Sequence, residues 1–381
     1  MYKNFLLPSS ILAGAIVGAG MFALPFVFNS LGFGIGFFYL IIAAIVYSLV
    51  YLMYADIILR TYGEHRFVGF SKIYLGVGGF WATITIAVLN MILVMGIFLV
   101  LSVSFANLIF PSGGSVIKML IFWLGGSIAI FLPPKRIFLI EFLIVVGMAG
   151  IILLVFLLGF GNFKNLASLN FSFNPENILP YAGVILFSLS GRVAVSSLVN
   201  YFKKQKVQNR NFLIKKNIIA ATFIPVIFYI FFILGIYSLS EKITPDAVTG
   251  LIGNAPTAVL SIIGILGLLS LWSTYILIGV NVKSIMRYDL KFPLFLSFLS
   301  VTIAPIIIFF ASVQDFIGLV SLSGGVFLAL EGIFLTAIWL NTKRISQKSS
   351  ILLPKAGVFA AVFSIIIFAA VLISELLNMF S

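Results

Sequence analysis

The stretch GAIVGAGMFALPF, Gly14 to Phe26, lies in the first long apolar segment of the chain, where a membrane-spanning helix is expected. Within thirteen residues it contains three glycines and one proline. Glycine destabilises a helix interior through backbone entropy, and proline removes a helical hydrogen bond. The stretch therefore predicts a first span that is interrupted near its middle.

The composition of the chain is that of an integral membrane protein. Of its 381 residues 62% are hydrophobic and 9% are charged, and the mean hydropathy is +1.24, whereas soluble proteins have about a quarter charged residues. The lack of cysteine excludes disulfides, thiolate metal sites and cysteine nucleophiles, and the single histidine, His65, leaves little for zinc or histidine chemistry. No cofactor and no metal are expected.

The apolar runs predict eleven membrane-spanning helices in one transmembrane domain over residues 1–381. A bilayer core about 30 Å thick needs roughly 20 apolar residues per helix. The first run resembles a signal peptide, but it continues past the glycines to Phe28, so we expect it to be retained as a span. The predicted spans are 5–30, 33–59, 79–109, 117–132, 137–160, 178–201, 217–238, 256–281, 293–311, 316–340 and 356–378.

The distribution of basic residues predicts the orientation of these spans. With a cytoplasmic N-terminus, 19 of the 23 lysines and arginines fall in cytoplasmic loops, only Lys118, Lys164 and Lys242 fall outside, and Arg192 lies within a span. This bias follows the positive-inside rule. We therefore expect a multi-pass protein of the bacterial inner (plasma) membrane, with the N-terminus cytoplasmic and the C-terminus outside. The excess of basic residues therefore reflects the orientation of the protein in the membrane, and nucleic acid is not an expected partner.

The order of the spans predicts an inverted repeat. Five spans, residues 5–160, are followed by five more, residues 178–340, and by one extra helix, residues 356–378. A second copy of an odd number of spans has to be inverted, and many secondary transporters are built from inverted repeats with a site at the midplane. The expected fold class is an all-α membrane protein of eleven helices with a 5+5 inverted repeat in which helices one and six are broken.

The sixth span carries the second break. Its sequence is ILPYAGVILFSLSGRVAVSSLVNYF, Ile178–Phe202, and the middle part SLSGR, Ser188–Arg192, contains two serines, a glycine and a charge. Interrupted segments in corresponding positions of two repeats indicate a transporter binding site. Unwound backbone in a membrane is tolerated only where it is buried in protein or lines a cavity, so both breaks are expected to surround a polar ligand.

The two breaks suit a zwitterion such as an amino acid. A half-helix that begins near Gly18 or Gly20 directs free N–H groups and its positive end at a carboxylate, while carbonyls near Phe187 and Ser188 suit an ammonium group. The alternative is that the glycines only permit close helix packing, as Gly14 and Gly18 would in a small-xxx-small motif. The predicted substrate-binding residues are Gly14, Val17, Gly18, Ala19, Gly20, Met21, Phe187, Ser188, Ser190, Gly191 and Arg192.

Two segments resemble a known family. IVGAGMFALPFVFNSLGFGIG, Ile16–Gly36, is similar to the first-helix motif of the amino acid/auxin permeases and the bacterial hydroxy- and aromatic-amino-acid permeases of the amino acid–polyamine–organocation superfamily, and YLMYADIILRT, Tyr51–Thr61, resembles the end of their second helix. The resemblance implies a leucine-transporter-like fold and secondary transport of amino acids. The chain departs from the family pattern at Arg192, where a basic side chain is not typical.

Two charged residues are predicted deep in the membrane. An arginine at mid-depth costs about 2.5–3.5 kcal/mol on insertion scales and usually faces the bundle interior. Arg192 is therefore expected to bind a substrate carboxylate or to act as a fixed cation where relatives hold sodium. The alternative is that its side chain extends along the helix to the cytoplasmic surface, as snorkelling side chains do. Glu331 is a candidate proton carrier, because carriers use carboxyl groups kept from bulk water. The alternative is that Glu331 simply pairs with Arg192.

Other polar residues leave the coupling ion open. Asp56 and Glu141 lie near the cytoplasmic face, where pairing with Arg60 or Arg136 is favoured, and Glu375 is expected to be in contact with water. A sodium site would draw on hydroxyls of span eight. In sodium-coupled relatives an asparagine tends to occupy the place of Gly14, so a proton gradient is favoured over sodium-coupled or ion-independent exchange. The candidate ion-coupling residues are Glu331, Ser270, Ser273 and Thr274.

A secondary transporter of amino acids is thus the favoured function. An enzyme is disfavoured, because the chain has no cysteine, one histidine and no paired carboxylates or phosphate-binding motif. A channel would not need a midplane site, and a sensor would usually carry a soluble output domain. The expected partners are an amino acid and the lipid bilayer, and nothing in the sequence indicates an oligomeric state.

Overall fold

The computed structural model describes residues 2–63, 65–131, 137–160, 181–205, 207–311, 315–346, 350–353 and 357–380, and all regular structure in these ranges is helical. The α-helices are α1 Leu7–Ile16, α2 Leu24–Leu31, α3 Phe33–Arg60, α4 Phe67–Ile109, α5 Ser115–Phe131, α6 Ile137–Gly159, α7 Ala182–Ser188, α8 Arg192–Lys204, α9 Arg210–Leu239, α10 Thr257–Ser284, α11 Leu294–Ala311, α12 Phe316–Leu322, α13 Ala329–Ser346 and α14 Gly357–Phe380.

The described helices match the predicted spans closely. Eight are long and apolar enough to cross a membrane, and the bent pair Asn4–Ile16 and Ala19–Leu31 makes a ninth candidate. Two shorter apolar helices, Ser115–Phe131 and Gly147–Gly159, lie where the fourth and fifth spans are predicted. The structure is therefore that of a multi-pass membrane protein and is consistent with eleven crossings.

The first span is broken where its glycines predict. Helix α1 ends at Ile16, Val17 and Gly18 have extended backbone, and a short 3-10 helix, Ala19–Ala23, leads into α2. The two halves are bent by 54°. Pro25 lies in the first turn of α2, where N–H groups have no acceptor within the helix. The N–H that proline lacks therefore costs no helical hydrogen bond. The interruption is thus encoded locally by Gly18 and Pro25.

The sixth span is also interrupted at the predicted place. Helix α7 ends at Ser188, Leu189–Gly191 are not helical, and α8 begins at Arg192. Gly191 has φ −159° and ψ 18°, outside the helical region. Both predicted breaks are therefore confirmed.

Two further irregularities were not predicted. Helix α4 begins at Phe67 instead of near residue 79, and it is kinked at Gly76, whose φ of 75° favours glycine. Span ten contains a π-helical segment, Ser323–Leu328, between α12 and α13. π-Helical turns inside helices are frequent at functional sites. We call Ser323–Leu328 the π segment.

One end of the bundle carries a set of basic residues, and we call it the basic end. Here the Arg60 guanidinium donates to the Thr342 carbonyl at 3.3 Å, and the Lys203 ammonium donates to the Ile58 carbonyl at 2.9 Å. The side chain of Asn341 donates to the Tyr74 carbonyl at 3.1 Å. These bonds join the ends of α3, α8 and α13 to the first turns of α4, so the basic end is closed in this conformation.

Candidate functional site

The two broken spans touch each other at their glycines. A Cβ atom on Gly20 would lie 2.6 Å from Ser188 Cα and 2.9 Å from Phe187 Cδ1. A Cβ atom on Gly191 would lie 2.5 Å from Ile16 Cγ1. Because neither position has room for a side chain, the two breaks approach each other backbone to backbone. The structure thus brings the predicted residues of span one and span six together.

A tyrosine from α9 connects the ends of the two half-helices. The Tyr229 hydroxyl lies 2.8 Å from the carbonyl oxygen of Ile16, the last residue of α1, and 2.6 Å from that of Ser188, the last residue of α7. Both carbonyls are at negative helix ends. The hydroxyl has one hydrogen, so it donates to one carbonyl at a time. Tyr229 is fully buried, and no sequence pattern singled it out.

A second tyrosine, Tyr51 of α3, satisfies the backbone of the break in span six. Its hydroxyl donates to the Leu189 carbonyl at 2.8 Å and accepts from the Gly191 N–H at 2.6 Å. Backbone groups in a membrane interior need such partners when a helix is interrupted. Tyr51 therefore holds the break of span six in place.

Two N–H groups at the first break have no partner within the short helix that they begin. Gly18 is non-helical, and Ala19 and Gly20 begin the 3-10 helix, so the N–H groups of Ala19 and Gly20 have no acceptor within that helix. Around Gly18, a Cβ atom would meet only the Ile16 carbonyl oxygen, at 3.8 Å. This part of the break can accept an anion. Gly14 lies within α1, one turn before the break.

The remaining residues predicted at the breaks are held by local bonds. Val17 N–H donates to the Ala13 carbonyl at 2.9 Å, and Met21 N–H donates to the Gly18 carbonyl at 3.2 Å. The Ser188 hydroxyl donates to the Ile185 carbonyl of its own helix at 2.8 Å. Ser190 N–H donates to the Phe187 carbonyl at 3.2 Å. The backbone N–H groups of Val17, Met21 and Ser190 and the hydroxyl of Ser188 are thus already satisfied in this conformation.

Arg192 forms an ion pair with Glu331. Its Nε and Nη2 atoms donate to the two carboxylate oxygens, the second at 3.0 Å, and the two side chains are only 14% and 12% exposed. The guanidinium also packs over the ring of Phe67, at 4.4 Å from its centroid. The pairing with Arg192, which was the alternative for Glu331, is thus present, and a role of Glu331 in ion coupling stays a prediction. The pair lies between the break of span six and the basic end.

A small cavity separates the ion pair from the break. Its volume is about 10 Å³, which is room for about one water molecule and not for an amino acid. The described conformation is therefore closed around the breaks. The cavity is lined by Tyr47, Val50, Tyr51, Ser190, Gly191, Arg192, Leu328, Glu331, Gly332 and Leu335.

An aromatic cluster adjoins the first break. Phe22, in the 3-10 helix, makes edge-to-face contacts with Phe105 of α4 at 5.0 Å and with Phe232 of α9 at 5.5 Å between ring centroids. The Phe105 ring lies over Gly267 of α10, where a Cβ atom would be only 2.2 Å away. This contact explains why α10 has a glycine here. We call Phe22, Phe105 and Phe232 the phenylalanine cluster.

The hydroxyls proposed for sodium lie on α10, which packs mainly on α4, α6 and α5. Thr274 donates to the Ser270 carbonyl of its own helix at 3.0 Å. The Ser270 hydroxyl is buried and has no partner among the described residues, and Ser273 is half-buried. No hydrogen bond in the described part of the chain joins these three side chains to span one. Their role in ion coupling stays a prediction.

Asp56 is a structural anchor of the basic end. Its carboxylate accepts hydrogen bonds from Trp339 Nε1 at 2.8 Å and from the backbone N–H groups of Ile351 and Leu352 at 2.8 and 3.3 Å, and it pairs with Arg60 at 3.4 Å. The predicted pairing with Arg60 is confirmed, and the extra donors join the segment before α14 to α3 and α13. The side chain of Glu141 lies outside the described residues.

The prediction that Glu375 is in contact with water is wrong. Its side chain lies in α14 and is 7% exposed, and Ser321 of α12 donates to its carboxylate at 2.6 Å. Nearness to the end of an apolar segment suggested exposure, but α14 packs against α13, α3 and the π segment. A contact with another helix cannot be read from the position of a residue along its own span.

Comparisons with known proteins agree with this architecture. A family model described as the tryptophan/tyrosine permease family matches residues 1–304. No curated protein sequence matches the chain significantly. Among solved structures, MhsT in complex with L-phenylalanine is 15% identical over 99% of this chain and 98% of its own, with a TM-score of 0.63.

Other solved transporters superpose similarly. Mhp1, a nucleobase-cation-symport-1 family transporter in a closed conformation with bromovinylhydantoin bound, is 15% identical over 98% of this chain and 90% of its own, with a TM-score of 0.62. A manganese transporter of Eremococcus coleocola is 13% identical over 100% of this chain and 87% of its own, with a TM-score of 0.62. At these identities the likeness shows the fold, which is leucine-transporter-like as predicted.

Proposed function

Since the chain belongs to the tryptophan/tyrosine permease family and is a secondary transporter of amino acids, we propose that its substrates are aromatic amino acids and that protons drive their uptake. We also propose that the protein is related to the amino acid/auxin permeases of the amino acid–polyamine–organocation superfamily. It would lie in the plasma membrane with the basic end facing the cytoplasm. Residues 5–160 and 178–340 would form the two inverted repeats.

The contact between the two broken spans carries this proposal. The N–H groups of Ala19 and Gly20 at the start of a helical segment suit a substrate carboxylate. The carbonyl ends of α1 and α7 suit the α-ammonium group, and the Tyr229 hydroxyl now bridges them. A zwitterionic amino acid bound here would contact both broken spans through its carboxylate and its α-ammonium group.

The phenylalanine cluster supports an aromatic side-chain subsite. Phe22 belongs to the same 3-10 helix as the N–H groups of the break, so a ring bound beside it is within reach of a carboxylate held there. Edge-to-face contacts between aromatic rings add about 0.5–1.5 kcal/mol beyond burial. MhsT, with the same fold, was crystallised with L-phenylalanine. In the closed conformation Phe105 fills the space over Gly267, so we propose that it moves when substrate binds.

The Arg192–Glu331 pair is proposed to be the gate at the basic end. The pair lies on the side of the span-six break that faces the basic end. The small cavity lies between the pair and the break. Release of substrate into the cytoplasm requires this pair to separate, because α8 and α13 are joined through it. Alternating access by movement of one bundle against another is the general mode of such folds.

Replacing Gly20 with alanine tests where the substrate binds. The added methyl group would collide with the Ser188 backbone, so the two breaks have to separate and the N–H groups lose their place. We expect the affinity of the purified protein for tryptophan or tyrosine to fall at least tenfold, measured by equilibrium binding. Gly78→Ala is the matched control, because a Cβ atom there meets nothing within 4 Å. Equal affinity of both variants would overturn the assignment.

A further inference from the structure

We propose that Glu375 in the last helix is a proton-binding site whose occupancy controls the position of α7, the first half of span six. The inference rests on the proposed function, since it names the group through which protons drive transport. It concerns a helix outside the two predicted repeats. No motif or comparison assigns a role to this residue.

The environment of Glu375 disfavours a permanent charge. The side chain is 7% exposed, and Ser321 is its only hydrogen-bond partner in the described part of the chain. No basic side chain lies within 4.0 Å of it there, whereas Glu331 has Arg192. A buried carboxylate without a cation is costly, and ionisable groups in membrane spans usually mark proton or substrate pathways. The neutral acid therefore fits this closed conformation.

One other carboxyl group, that of Asp315, lies close enough to Glu375 to repel its ionised form. Helix α7 and the π segment carry no titratable side chain, and α12 contributes only Asp315, which caps its own helix by accepting from Gly318 N–H. From α13 the charged groups are Glu331, paired with Arg192, and the more distant Lys343 and Arg344. Helix α3 contributes Tyr39, Tyr47, Tyr51, Tyr54, Asp56 and Arg60.

An aromatic contact between α3 and α14 lies away from the carboxyl group. Tyr47 packs on Phe368, about two turns of α14 nearer the basic end than Glu375, at 6.0 Å between ring centroids. Tyrosine is neutral at physiological pH. Asp56 and Arg60 belong to the basic end, where they bind each other. Asp315 is exposed whereas Glu375 is buried, so a change of charge at Glu375 is the one that the helix packing has to accommodate.

Contacts run from Glu375 to the substrate site without interruption. A Cβ atom on Gly325 would lie 2.7 Å from the Glu375 carboxyl oxygen, and one on Gly183 of α7 would lie 2.8 Å from the Gly325 nitrogen and 2.5 Å from the Ser321 carbonyl. Helix α7 ends at Ser188, which touches Gly20. The carboxyl group therefore packs on the same backbone that holds α7.

Protonation changes what this packing can tolerate. When a proton binds, the carboxylate becomes a neutral acid with an O–H donor, and the region can stay dry and closed. When the proton leaves, the carboxylate needs water or a cation, so α14 has to separate from the π segment and α7 is released. A proton taken from the end opposite the basic end and given up toward the cytoplasm would thereby drive one transport cycle.

The variant Glu375→Gln tests the inference in proteoliposomes. Glutamine keeps the shape and the donor of the neutral acid but cannot release a proton. Because glutamine keeps the region in its neutral, closed form, we expect accumulation of labelled tryptophan driven by an inward proton gradient to fall at least tenfold. Glu241→Gln, an exposed carboxyl in the loop after α9, is the matched control and should accumulate normally. Proton-driven accumulation by Glu375→Gln at the wild-type level would overturn the inference.

A readout without substrate separates this inference from the proposed function. The chain has no cysteine, so Ala182→Cys at the start of α7 reports the accessibility of that helix to a thiol reagent. Labelling, normalised to Glu241→Cys, should change severalfold with pH in the Ala182→Cys protein and stay constant when Glu375→Gln is added. Persistence of the pH effect in the double variant would overturn the inference even if no amino acid were transported.

A milder variant covers the case in which Glu375→Gln does not fold. Ser321→Ala removes the hydrogen bond to the carboxylate but leaves the titratable group. Because that bond holds the Glu375 side chain in the closed conformation, its loss should shift the midpoint of the pH-dependent labelling of Ala182→Cys. An unchanged midpoint would contradict a role for the Glu375 carboxyl group in the movement of α7.

Discussion

The ion pair between Arg192 and Glu331 shows how much depends on two side chains. Removing one member of a buried pair leaves an uncompensated charge and costs about 3–5 kcal/mol. Both side chains are more than four-fifths buried, and the guanidinium also lies over an aromatic ring. Loss of Glu331 should therefore be relieved by opening of the basic end, which admits water to Arg192.

This expectation is testable in the natural cysteine-free background. A cysteine at Ser190, which lines the cavity beside the pair, should react with a membrane-impermeant thiol reagent at least tenfold faster when Glu331→Gln is also present. The reagent has to be applied from the basic end. Glu241→Gln, which neutralises an exposed carboxyl, should leave the rate unchanged. An equal rate with and without Glu331→Gln would show that the pair is not a gate.

Single residues were predictable where their chemistry conflicts with the membrane. Arg192 and the glycines of the breaks stand out because neither a charge nor a flexible backbone is expected in a spanning helix. Tyr229 and Glu375 did not stand out. Tyr229 binds Ile16, which is 213 residues away, and Glu375 binds Ser321, which is 54 residues away. Such contacts depend on how helices are rotated against one another, which one sequence does not show.

At the scale of helices, the glycines of α7 and the π segment allow two backbones to touch. A Cβ atom on Gly183 would lie 2.5 Å from the Ser321 carbonyl oxygen, so alanine there forces α7 away from span ten. We expect Gly183→Ala to lower the free energy of unfolding by about 1–3 kcal/mol, as overpacking does. Unfolding in mixed micelles measures this change.

The control for this variant is Gly147→Ala in α6, where a Cβ atom would make an ordinary contact of 3.6 Å with the Leu266 carbonyl. It should be as stable as the wild type. Gly183→Ala should also lose uptake, because α7 carries Ser188 into the site. If Gly183→Ala unfolds at the wild-type denaturant concentration, the close packing of α7 on the π segment is not important for stability.

The helices themselves were largely predictable, and their irregularities only in part. Glycine with proline marked the break of span one, and SLSGR marked that of span six, because these residues are poor in a helix interior. The kink at Gly76 and the π segment were missed. Gly76 lies outside the predicted span, and the two glycines of the π segment lie in an apolar context that is equally compatible with a regular helix.

At the scale of the whole molecule, the apolar runs were sufficient to predict an all-helical, multi-pass membrane protein. Hydropathy gives the number and length of spans because lipid requires each backbone group to be satisfied within its own helix. The described helices are consistent with eleven spans, and the fold is leucine-transporter-like as predicted, while the orientation and the inverted repeat stay predictions. The closed conformation was not predictable, because one sequence encodes every state of the transport cycle.

The most direct measurement is uptake of labelled tryptophan and tyrosine into proteoliposomes with an inward proton gradient and no sodium. We expect accumulation above the external concentration, and a protonophore should abolish it. Accumulation that requires a sodium gradient would contradict proton coupling and direct attention to Ser270, Ser273 and Thr274. Absence of uptake of either amino acid under both gradients would contradict the assignment of aromatic amino acids as substrates.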